Sequence, residues 1–222
     1  SFSPRNDVTP FFSRRIGISD GKQIPINAGA KLSGQIGNYE IGFIQSQTRS
    51  VDNIKGENFS LARVKRPFFK QSYLGLVFTD RSTRYGDIDS LSLDQTLYGA
   101  DLELKTSEFL GDKNLQFQSF FVFHSAPLFN QDLSISDLST RGLRITYPND
   151  IIRSHVSYRE FGDMYSPSLG FSRRNGFKRI QPSFSYNPRP QKFDFVRQIE
   201  IGISYEHMTD LNDKMLKKQT TL

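Results

Sequence analysis

The chain has 222 residues, only 36% of them hydrophobic, and a mean hydropathy of -0.50. It holds no run of about 18 apolar residues, so no transmembrane helix is predicted, although a membrane β-barrel has similarly low hydropathy because only alternate residues meet lipid. The 29 Lys and Arg residues give a net charge of +6, but they are scattered and accompany no recognition helix or stacking platform, which argues against nucleic acid as a partner.

Cysteine is absent, which excludes disulfides and thiolate metal sites. Phe and Tyr number 20 and 9, with no Trp, so any aromatic belt is built without indole. No signal peptide is legible. Ser1 leads straight into Phe2, Pro4, Arg5 and Asn6, and the start reads as internal or processed.

Along the chain, period-two alternation recurs where helical periodicity does not. Residues 25–36 place Ala28, Ala30, Leu32 and Ile36 on one face, against Lys31, Ser33 and Gln35. Strands are also predicted over 39–47, 58–66 and 72–79. Over 96–105, Tyr98, Ala100, Leu102 and Leu104 oppose Asp101, Glu103 and Lys105. The 115–123 segment carries Phe on both faces, and Phe120 and Val122 would suit packing against a plug better than a water-filled lumen. Residues 140–147 follow. In 152–159, Ile152, Val156 and Tyr158 oppose Arg153, His155, Ser157 and Arg159. In 179–186, Ile180, Phe184 and Tyr186 oppose Arg179, Gln181, Ser183 and Ser185. The clearest alternation is 195–206, where Ile199, Ile201, Ile203 and Tyr205 oppose Gln198, Glu200, Ser204 and Glu206. Residues 215–222 read as the start of another strand.

These are about ten strands of roughly 9–12 residues, near the length a tilted strand needs to cross a bilayer. Their connections alternate: short at 37–38, 67–71, 109–114, 148–149 and 187–192, long at 48–57, 80–94, 126–139 and 162–176. Short periplasmic turns and long extracellular loops are the pattern of an outer-membrane barrel. The expected fold is therefore all-β, part of a transmembrane antiparallel up-and-down β-barrel whose remaining strands are missing. Residues 1–222 are expected to form a single outer-membrane β-barrel domain, incomplete at both ends.

Several segments also carry a family resemblance. They are 12–17 (FSRRIG), 24–34 (IPINAGAKLSG), 39–43 (YEIGF), 58–66 (NFSLARVKR), 72–81 (SYLGLVFTDR), 162–165 (GDMY) and 169–176 (LGFSRRNG). Together they resemble the barrel domain of a family of large outer-membrane proteins of unknown function. Members often carry an N-terminal β-sandwich similar to carbohydrate-binding modules of family nine. They are common in sugar-foraging Gram-negative bacteria that use starch-utilisation-type transporters. The resemblance covers most of residues 11–176 and does not extend to that module. It implies a barrel in the bacterial outer membrane and supplies no activity.

Candidate binding chemistry is mostly cationic. Arg14, Arg15, Arg173 and Arg174 fall in predicted extracellular loops, where guanidinium groups would suit lipopolysaccharide phosphates or another anion. The competing reading is loop packing through ion pairs with Asp20 or Asp163. Predicted lumen-lining residues are Lys31, Arg63, Lys65, Asp101, Glu103, Arg153, His155, Arg159 and Glu200. Arg63 and Lys65 share a face and would favour anionic solutes, unless Glu40, Asp101 or Glu103 pairs with them across strands. His155 and Ser157 also share a face, as a hydrolase would require, but Arg153 and Arg159 flank them and no orienting acid is evident. Asp87 with Asp89, or Asp132 with Asp137, are weak Ca²⁺ candidates.

No catalytic residue, metal site or cofactor is expected. The expected function is a pore or transport-related channel. The alternative is an accessory or structural subunit of an outer-membrane complex, with a hydrolase ranked last. Expected partners are outer-membrane lipid, lipopolysaccharide and other outer-membrane proteins.

Overall fold

The computed structural model describes residues 8–19, 21–52, 54–83, 94–126, 133–190 and 197–222. Among them there is no α-helix, only one 3-10 turn at Ser13–Arg15. Four short strands form two small pairs outside the main sheet. These are β1 (Val8–Thr9) with β12 (Phe171–Ser172), and β2 (Ile18–Ser19) with β3 (Lys22–Gln23).

The other eleven strands form one antiparallel meander. They are β4 (Ile26–Ile36), β5 (Tyr39–Thr48), β6 (Glu57–Phe68), β7 (Ser72–Thr83), β8 (Gln95–Phe109), β9 (Lys113–His124), β10 (Ser139–Pro148), β11 (Ile152–Phe161), β13 (Phe177–Tyr186), β14 (Ile201–Thr209) and β15 (Met215–Thr221). Each pairs with its neighbours in chain order, and β12 stands outside the sheet. The sheet is open, with β4 and β15 as its edges. The all-β, up-and-down architecture expected from alternation is present.

One expectation needs correction. Of the alternation over 195–206, only the part from Ile201 is strand among the described residues. Residues 197–200 lie outside it, where Ile199 N–H donates to Pro188 O at 3.0 Å, and residues 191–196, which hold parts of the predicted turn 187–192 and strand 195–206, lie outside the described residues. The β14–β15 link is a tight turn. Asp210 accepts from the backbone N–H groups of Asn212 and Lys214, at 2.9 and 2.8 Å, closing the turn at the long-loop end. Asp and Asn side chains favour such a turn by accepting from the backbone nearby.

Cross-strand partners share a face, so the register sorts the whole sheet. One face carries Leu32, Phe43, Val64, Leu76, Tyr98, Phe121, Leu143, Ile145, Val156, Ile180, Phe184, Ile201 and Ile203, all exposed. The opposite, inner face carries Arg63, Lys65, Asp101, Glu103, Arg144, Arg159 and Arg179 of the same strands.

Part of the inner face is nevertheless apolar. Val77, Leu97, Phe120, Val122, Phe161, Phe177 and Met208 form one buried cluster with Val8 and Tyr165. Phe120 and Val122 thus pack against chain that folds over the inner face, as their presence on that face suggested. Loop 162–176 is clamped there by close backbone approach. A Cβ at Gly162 would strike the carbonyl oxygens of Ser136 and Asp137. The Gly162 N–H also donates to Ser139 O at 2.8 Å. Gly162→Val should therefore release the loop, and trypsin should then cut after Arg173 and Arg174 at least tenfold faster while the sheet's far-ultraviolet signal is retained. An unchanged cleavage rate would show that the clamp is dispensable.

Candidate functional site

Charged side chains line the inner face. From β4 to β9 most of its cations meet carboxylates. Arg63 Nη1 lies 2.6 Å from Asp101 Oδ1, with side chains 17% and 5% exposed. Lys65 Nζ lies 3.4 Å from Glu40 and 4.2 Å from the Tyr73 ring centroid. Arg81 pairs with Glu57 at 2.6 Å and Lys105 with Glu103 at 2.5 Å. Glu103 also accepts from Gln116 and Gln118, at 3.0 and 2.5 Å.

The Arg63–Asp101 pair depends on a residue with no side chain. Gly75 lies between β6 and β8, opposite both Lys65 and Asp101. A Cβ there would sit 2.6 Å from Asp101 Oδ1 and in the path of the Arg63 guanidinium. Glycine leaves the space through which Arg63 reaches Asp101.

From β10 to β13 the inner face presents Arg144, Arg153, Arg159 and Arg179. Arg159 and Arg179 are direct cross-strand partners. Arg144 and Arg159 are buried, whereas Arg153 is exposed near the β10–β11 turn. Arg144 Nε donates to Thr146 at 3.0 Å, and Arg179 lies 5.7 Å from the Phe177 ring centroid. Glu206 on β14 bounds this region, held by Gln181 at 2.7 Å and Lys217 at 3.0 Å.

The predicted lumen residues are thus all on the inner face except Glu200, which is exposed and precedes β14. Lys31 is exposed on edge strand β4. Arg63 and Lys65 are neutralised across strands, so their pairing reading is the better one. Arg144 and Arg179 were not singled out as lumen candidates. The alternation places Arg179 on a polar face, but only the register sets it beside Arg159.

His155 does not address Ser157. Its Nδ1 lies 2.6 Å from Ser183 Oγ, on the neighbouring strand, while Ser157 is buried beside it. Among the described residues no group of three His, Cys, Asp or Glu side chains is placed to hold a metal ion. The Ca²⁺ candidates Asp87, Asp89 and Asp132 lie outside the described residues. Asp137 accepts from the Ser134 hydroxyl at 2.6 Å and its N–H at 3.1 Å.

At the long-loop end, Arg14, Arg15, Arg173 and Arg174 are all exposed. Pairing of β1 with β12 and the edge-to-face contact of Phe12 with Phe171, 5.6 Å between centroids, bring their two segments together. Arg14 lies 6.0 Å from the Phe12 ring centroid. Asp20 lies outside the described residues, and among the described residues these four arginines make no ion pair with Asp163 or any other carboxylate. Arg15 also lines a cavity of about 330 Å³ with Arg81, Asp94, His124, Ser125 and Ser166. Above it, burial in the loop pushes the Tyr165 hydroxyl well beyond the usual phenol range, so it stays neutral.

No protein-family model, curated protein or solved structure matches this chain.

Proposed function

We propose that the sheet is part of the wall of a bacterial outer-membrane β-barrel and that its inner face lines a solute passage with anion preference. The observation that carries this reading is the path of the apolar band on the outer face. One unbroken register row runs Val64, Leu76, Ala100, Phe121, Arg141, Glu160, Lys178, Thr209. It is apolar on β6–β9 and charged on β10–β13. On those later strands the apolar residues have moved towards the short-turn end, to Ile145, Val156, Phe184, Ile203, Tyr186 and Ile201.

A band oblique to the hydrogen-bonded rows is what a flat bilayer imposes on tilted strands, because the membrane plane cuts across the register. A water-soluble sheet covered by a second layer has no reason for that drift. Above the band the outer face turns polar, with Asp80 accepting from Thr96 at 2.9 Å, Arg141 paired to Glu160 at 2.8 Å and Lys178 to Asp213 at 2.8 Å. Below it stand exposed Tyr39, Phe69, Phe109 and Tyr186, suited to an aromatic girdle.

Edge strands β4 and β15 run in the same direction, since nine antiparallel strands separate them. An all-antiparallel closure therefore takes an odd number of further strands, which makes the total even, as in bacterial single-chain barrels. The family resemblance points to the same location.

The arginine-bearing part of the inner face supports anion preference. The complete protein in a planar bilayer is expected to conduct steadily with chloride favoured over potassium, and Arg153→Glu should lower that preference. Silence from a folded, inserted barrel would sink the passage. It would favour the accessory-subunit reading, to which the cover formed by Val8 and Tyr165 over the inner face already lends some weight.

A further inference from the structure

We infer that loop 162–176 is held over the inner face by an acid-released latch centred on His124. His124 ends β9 and is only 3% exposed. Its Nε2 lies 3.0 Å from the Ser166 backbone N–H, a group that can only donate, so Nε2 carries a lone pair. Its Nδ1 lies 2.9 Å from the carbonyl oxygen of Ser125, so that nitrogen carries the proton and donates. The docked loop therefore demands the neutral imidazole.

Gln95 completes the clasp from β8 through the loop backbone; its Nε2 sits 3.0 Å from the same Nδ1, which as a donor it does not bond. It donates to Ser166 O at 3.0 Å and accepts from Ser168 N–H at 2.6 Å. On the loop side, Asn175 Nδ2 donates to Tyr165 O at 2.6 Å, and the Tyr165 ring lies 5.7 Å from the imidazole. Both protein faces of the latch thus converge on 165–168.

Protonation would set an N–H on Nε2 against the Ser166 N–H and leave a cation in a buried site, with the backbone of Ser125 and Met164 beside the ring. Among the described residues no carboxylate is placed to compensate. Asp94, at the head of β8, accepts from Thr83 N–H at 2.6 Å. Asp137 in the preceding loop is engaged by Ser134. Asp163 lies against Gly176. The cations nearby oppose a further positive charge: Arg81 from β7, paired to Glu57, and Arg15 from the N-terminal turn. Tyr165 contributes a neutral ring.

The sign follows. The released loop lets His124 bind a proton and the docked loop does not. Docking is therefore complete above the ordinary histidine range, about 6.5, and weakens as pH falls through it. The latch goes beyond the membrane reading and does not rest on it, because its readout is a distance rather than a current.

The chain has no cysteine, so spin labels can be placed at Arg173→Cys in the loop and Asp150→Cys in the β10–β11 turn, both exposed. Pulsed electron–electron distance measurement on the purified full chain in detergent should give one narrow distribution at pH 7.5 and at least a twofold broader one at pH 5. His124→Gln should abolish the pH response, while the double variant His155→Gln, His207→Gln should keep it. Identical wild-type distributions at the two pH values would overturn the latch. So would a pH response that survives in His124→Gln or disappears in the double variant.

Discussion

Exchanging Asp101 for asparagine is expected to destabilise the sheet by about 3 kcal/mol, because it leaves the Arg63 guanidinium in a mostly closed site without its counter-charge. The two side chains are 17% and 5% exposed and sit 2.6 Å apart across the floor left by Gly75. Urea unfolding of Asp101→Asn, Arg63→Gln and the double variant measures the coupling. The double variant should recover part of the loss, since a neutral pair has less to desolvate. Lys70→Gln provides the contrast. Its pair with Glu108 is 85% and 70% exposed and should contribute no more than about 0.5 kcal/mol. If Asp101→Asn were as mild as Lys70→Gln, the inner-face pairs would be solvent-screened decoration rather than part of what fixes the register of β6, β7 and β8.

The second large effect is expected on the opposite face. Leu76 is 54% exposed in the middle of the apolar band. If that band faces lipid, Leu76→Arg should cost about 2–4 kcal/mol on refolding into phosphatidylcholine vesicles, the toll for a guanidinium near the bilayer midplane. Asn58→Arg lies on the same face beyond the band, where Gln47 Nε2 donates to Asn58 Oδ1 at 3.0 Å. There the cost should stay below about 1 kcal/mol. Equal costs at the two positions would remove the lipid-facing band and the barrel with it. Lys178, charged on the same register row as Leu76, shows why the comparison is made in depth and not along a row.

Much of the sheet could be read directly from the chain. Strand alternation is a local property, because successive side chains point to opposite faces whatever the strand pairs with. Hence Tyr98, Leu102 and Leu104 separate from Asp101, Glu103 and Lys105 in sequence as they do in the structure. The tight turn at Gly37-Asn38, with Gly37 at φ 55°, is also local chemistry. The failure at 197–200 has an equally plain cause. Ile199 alternates as strand residues do, but its N–H is taken by Pro188 O, and pairing with β13 begins only at Ile201.

The site was less legible, because its meaning lies between strands. That Arg63 meets Asp101, that His155 meets Ser183 and not Ser157, and that Arg159 stands opposite Arg179 all follow from register, which no single strand encodes. The cover formed by Val8 and Tyr165 depends on two segments more than 150 residues apart, and Phe120 and Val122 signalled only that something apolar must meet them.

By itself, then, the sequence determined the strands, their two chemical faces and most of their turns, since each is set by neighbours along the chain. The tertiary structure alone decided which charges neutralise each other, which arginines gather, and how the apolar band drifts across the rows. Those properties depend on how far each strand is offset from the next, and that offset is a relation between strands.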